Sequence, residues 1–98
     1  KQVGGVWRVL NIENGRFYLD KTLDIQGSHN WFLNCCTTGI CTHPHLAKEW
    51  ASCGKDAYVF EVLETWEKDE KQSDLEFKND IGDLYEIWDE KLPRENRY

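Results

Sequence analysis

Gly5-Val6-Trp7-Arg8-Val9-Leu10-Asn11-Ile12-Glu13-Asn14-Gly15-Arg16-Phe17-Tyr18-Leu19-Asp20 is two β-favouring runs joined by Asn14-Gly15. Asn-Gly is the strongest short hairpin signal, because both central residues of a type I′ turn take positive φ and these residue types tolerate it. A two-residue turn sets Glu13 against Arg16, Asn11 against Tyr18 and Val9 against Asp20. Opposed residues share a face and side chains alternate with period two. Leu10, Ile12, Phe17 and Leu19 then form one face, the expected core. Trp7, Asn11, Arg16, Tyr18 and Asp20 form the other, a mixed aromatic and polar surface that is an odd choice for plain solvent. Function is expected there.

Working outward, Asp24 is placed to cap a helix whose apolar side is Ile25, Phe32, Cys35 and Cys36 and which ends near Gly39. Pro44, preceded by Thr42 and His43, opens a second helix of about three turns, with Leu46, Ala47 and Trp50 on its apolar stripe and Gly54 after its end. Ala57 to Glu64 reads as a third strand, followed by a charged connection from Trp66 to Gln72. Ser73 and Glu76 make a capping-box pattern. Phe77, Ile81, Leu84, Trp88 and Leu92 then recur at helical spacing up to Pro93. The order predicts an α/β (α+β) class: a small three-stranded antiparallel sheet flanked by three helices, residues 1–98 forming one domain.

The chain has 98 residues and a formal net charge of −6. Acids crowd the second half, which disfavours nonspecific nucleic-acid binding, whose affinity comes mainly from neutralised phosphates. A protein partner fits that balance better. No apolar run approaches the roughly 20 residues needed to cross a bilayer, so no membrane partner is expected and the setting is read as cytoplasmic. Cys35, Cys36, Cys41 and Cys53 are then reduced, mostly buried thiols.

Several stretches together resemble the GIY-YIG nuclease family. Gly5-Val6-Trp7 stands for Gly-Ile-Tyr, and Tyr18-Leu19-Asp20 stands for Tyr-Ile-Gly across the Asn14-Gly15 turn. Leu46 to Trp50, Gly54, Phe60 to Glu64, and Glu86-Ile87-Trp88 with Lys91-Leu92 resemble its later elements. The resemblance implies a site in which two hairpin tyrosines, a helix arginine and a metal-binding glutamate surround a scissile phosphate. Tyr18 matches the second tyrosine, and the first falls on Trp7, whose indole donates a hydrogen bond but accepts no proton. The arginine position falls at or beside Ser28. The glutamate position falls on Tyr85, with Glu86 one residue later and about 100° around the helix. Asp20 stands at the triplet's glycine and Lys21 follows it.

Members of a catalytic unit are strongly non-additive, so the resemblance points to the fold and away from the usual chemistry. The expected cleft is Trp7, Tyr18, Asp20, Lys21, Ser28 and Tyr85, serving a nucleic-acid or protein interaction module with no cofactor. The enzyme alternative is an Mg²⁺-dependent endonuclease with Tyr18 as base and Glu86 as displaced metal ligand. A third reading is a zinc-stabilised domain drawing on Cys36, Cys41, His43 and His45, although no Cys-x-x-Cys knuckle is present.

Overall fold

The computed structural model describes residues 1–98. Strand β1 (Val3–Asn11) turns into β2 (Phe17–Thr22), helix α1 (Ile25–Thr38) and helix α2 (Ala47–Cys53) follow, then strand β3 (Tyr58–Glu67) and helix α3 (Asp74–Lys91). Short 3₁₀ turns occupy Lys55–Ala57 and Arg94–Asn96. The sheet order is β2-β1-β3, and both pairings are antiparallel. The expected class and element count are those observed.

The hairpin register differs from the expected one. Val9 pairs with Tyr18 and Trp7 with Asp20, a slip of two residues, because the connection is a four-residue loop, Ile12 to Gly15. Asn11 closes it: its N–H donates to the Arg16 carbonyl and its carbonyl accepts from the Gly15 N–H, both at 2.8 Å. Its side-chain Oδ1 accepts from the Glu13 N–H at 2.9 Å, an Asx turn that competes with the tighter Asn-Gly turn. Gly15 takes φ 77°, and no non-glycine residue has positive φ, so Asn14 is not a type I′ residue. A slip of two keeps every side chain on its face, and the face assignment survives.

Both faces are covered. On one, Val6, Phe17 and Leu19 pack with Leu84 of α3, and Leu10, Leu63, Tyr85, Trp88 and Leu92 border them. Ile12, expected in this core, lies in the loop and is exposed. On the other, Trp7 and Val9 join Phe32 and Cys35 of α1, Leu46 just before α2, Trp50 of α2, and Tyr58 of β3. The face expected to be an open surface is therefore mostly a second core. Being the central strand, β1 has helices above and below.

The helices begin and end where capping chemistry directs. The Asp24 side chain accepts from Gly27 N–H, and Gly39 closes α1 in the left-handed conformation. Ser73 and Glu76 form the reciprocal capping box of α3, whose cap at the other end is Leu92, just before Pro93. Helix α2 is shorter than expected, starting after a turn in which His43 O accepts from the N–H groups of Leu46 and Ala47. Strand β3 runs three residues further than expected, because Trp66 and Glu67 pair with Gly4 and Val3. No helix is long and apolar enough to cross a membrane.

Candidate functional site

A cleft of about 420 Å³ opens between the end of β2 and the start of α1, lined by Trp7, Asp20, Thr22, Asp24, Gly27, Ser28, Trp31 and His43. Three of the expected residues, Trp7, Asp20 and Ser28, are brought together. The β1/β2 pairing sets Trp7 opposite Asp20. The first turn of α1, fixed by its Asp24 cap, presents Ser28, and Trp31 follows three residues on, on the same side of the helix. The loop before α2 carries His43 to the rim.

Trp7 is 5% exposed. It stacks on Phe60 with centroids 5.1 Å apart, and meets Tyr18 at 5.9 Å and Trp31 at 5.8 Å. It forms one wall of the cleft, and its indole N–H has no partner in the protein. Tyr18 is half-buried beside the cleft. Its hydroxyl donates to Asp20 Oδ2 at 2.7 Å, while Asp20 Oδ1 accepts from the Lys21 N–H. Burial first, then that bond to Asp20, push the Tyr18 phenol far above its ordinary value. This hydroxyl is a donor bonded to a carboxylate. The His43 ring lies 4.1 Å from that of Tyr18. Burial and the neighbouring His45 lower its pKa against an opposing pull from Asp20, which favours the neutral imidazole.

Lys21 and Tyr85 belong to the opposite side of the sheet. Lys21 pairs with Val6, and its ammonium sits 4.7 Å over the Tyr85 ring, around the free edge of β2 from the cleft. No lysine or arginine lines the cleft, and neither Asp20 nor Asp24 is in any of the ion pairs.

The donor set does not fit a divalent cation. Glu86 is exposed and outside the cleft, Tyr85 supplies no carboxylate, and nowhere do three His, Cys, Asp or Glu side chains converge. The zinc set is likewise not assembled. Cys41 is buried against Cys35, whose thiol is pushed to about 11 by burial and then by Cys41. Cys36 faces Lys55 and Asp56, His43 stacks on Tyr18, and exposed His45 stands 5.9 Å from the same ring. Adjacent helical cysteines point apart by a third of a turn, which scatters the thiols. All four are free.

Sequence reasoning missed Thr22, Asp24, Gly27, Trp31 and His43 as cleft residues. The spacings Asp24, Ser28, Trp31 were a usable helical signal. His43 reaches the rim through a loop with no periodicity to read.

The architecture matches solved structures. The catalytic domain of the intron endonuclease I-TevI, in a mutant form, superposes with a TM-score of 0.68 at 15% identity, covering 98% of this chain and 91% of that one. A second structure of the catalytic domain of the homing endonuclease I-TevI gives 0.62 at 18% identity, covering 97% and 95%. The fold is the GIY-YIG nuclease fold. No protein-family model and no curated protein matches the sequence. Within the GIY-YIG fold, the likeness is one of backbone over nearly the full length.

Proposed function

We propose that this domain keeps the nuclease scaffold without its cleavage chemistry and works as an interaction module that engages a protein partner through the cleft. One observation carries this: the cleft presents two carboxylates, Asp20 and Asp24, with no cation facing them. A scissile phosphate needs positive charge to offset what develops in the transition state, and unpaired carboxylates repel it instead. The bond from Tyr18 to Asp20 counts against Tyr18 as the base of the nuclease alternative, and the exposed place of Glu86 outside the cleft counts against it as metal ligand. Nucleic acid is the less favoured partner, given a net charge of −6. In this reading the domain acts in the cytoplasm, with no cofactor, and its four free cysteines suit a reducing compartment.

The test is incubation with a DNA duplex in Mg²⁺ at low salt, read both on a gel and by amide chemical shifts. Intact DNA and an undisturbed cleft are expected. Mg²⁺-dependent strand cleavage that disappears in Tyr18→Phe would overturn the proposal and restore a nuclease of altered mechanism.

A further inference from the structure

We propose that the cleft takes the side chain of an arginine from its protein partner, held against the Trp31 ring and between the two carboxylates. This deepens the interaction-module reading and rests on it. Trp7 and Trp31 wall the cleft in contact with each other, rings tilted by 52° at 5.8 Å, and the partly exposed Trp31 ring is the face open to a ligand. A guanidinium is planar, weakly hydrated and attracted to the negative face of an indole.

The carboxylates supply the charge. Asp20 spends one oxygen on the Tyr18 hydroxyl and the other on the Lys21 N–H. Asp24 accepts from Gly27 N–H at 3.2 Å. A carboxylate has about four lone-pair directions, so each keeps acceptor capacity that no lysine or arginine of this chain uses. The Asp24 charge lies against the positive end of the α1 dipole and offsets it. His43, favoured as a neutral imidazole, adds a ring to the rim without repelling a cation.

A second observation is independent of the acids. Trp7 is more than nine-tenths buried and lines the cleft, yet its indole N–H has no acceptor in the protein. Buried donors are nearly always paired. A peptide offers both complements at once, a guanidinium for the carboxylates and a backbone carbonyl for the indole. A volume of about 420 Å³ leaves room for one long side chain and its backbone. A nucleotide would bring phosphate toward Asp20 and Asp24, and an acidic peptide would do the same with its carboxylates.

The test uses the isotope-labelled protein and three capped tripeptides with arginine, lysine or glutamate at the centre, following the indole N–H resonances of Trp7 and Trp31. Saturable shifts with the arginine peptide are expected, several-fold weaker with lysine and absent with glutamate. The double variant Asp20→Asn, Asp24→Asn should weaken arginine binding at least tenfold. Asparagine keeps one of the two acceptor oxygens of Asp20 and remains a good helix cap at position 24, so the fold is expected to hold. Should that variant unfold, Trp31→Leu alone should weaken binding several-fold. Equal binding of the glutamate or lysine peptide, shifts indifferent to the variants, or no shift with arginine would overturn the inference. DNA cleavage in the Mg²⁺ assay would instead overturn the reading beneath it, so the two failures are distinguishable.

Discussion

Asn11 is fully buried, although a strand residue next to a turn would ordinarily be half-solvated. Its side chain accepts from the Glu13 N–H and donates to the Tyr98 hydroxyl at 3.2 Å, so it ties the hairpin loop to the last residue of the chain. Asn11→Ala leaves both partners short of a bond in a buried setting and should cost about 2 kcal/mol, seen as a lower denaturation midpoint. Tyr18 makes a prediction of opposite kind, about pH. Its folded pKa is raised above the ordinary 10.0 by burial and Asp20, and burial also raises Tyr58, Tyr85 and Tyr98. A raised folded pKa gives stability that is complete below the unfolded value and is lost as pH climbs past it. Denaturant midpoints should therefore fall steadily above about pH 10, and less steeply in Tyr18→Phe. At this scale the sequence named Trp7, Tyr18 and Asp20 correctly as neighbours. It could not show that Trp7 is buried, since burial depends on Phe60 and Trp31 arriving from other elements.

Among the elements, α3 was the most legible and the hairpin loop the least. The α3 boundaries follow from a capping box and a proline, both local chemistry. The hairpin turned on a competition between an Asn-Gly turn and an Asx turn at Asn11, settled by the buried contact of Asn11 with Tyr98. The sheet contains a further feature with no sequence marker, a register irregularity on β3 opposite Val6 and Trp7. There the Glu64 carbonyl comes so close to β1 that a Cβ on Gly5 would stand 2.2 Å from it. Backbone rather than a movable side chain is the obstacle, so Gly5→Ala should cost about 2 kcal/mol or more. Gly82 is the contrast, inside α3 with nothing within 4 Å of an added Cβ. Gly82→Ala should raise stability by about 0.5 to 1 kcal/mol, because glycine carries the larger entropy loss in a helix. Thermal melts of the two variants would show shifts of opposite sign.

In the whole molecule, β1 is the spine: it pairs on both edges and is covered on both faces. Amide exchange should accordingly be slowest at Val6 to Leu10, which open only with global unfolding, and fastest in the short helix α2. Uniform protection across both would count against that layering. The chain's own chemistry was enough to determine the strand and helix order, the faces of the hairpin and both caps of α3, since these rest on periodicity and on bonds between near neighbours, and the resemblance of its hairpin residues to a family signature pointed to the GIY-YIG fold. The tertiary structure alone decided that the second face of the sheet is core, that Lys21 and Tyr85 lie around the β2 edge from Trp7 and Asp20, and that the cysteines and histidines do not converge. Those outcomes depend on which distant elements meet in space, and a local pattern carries no record of the meeting.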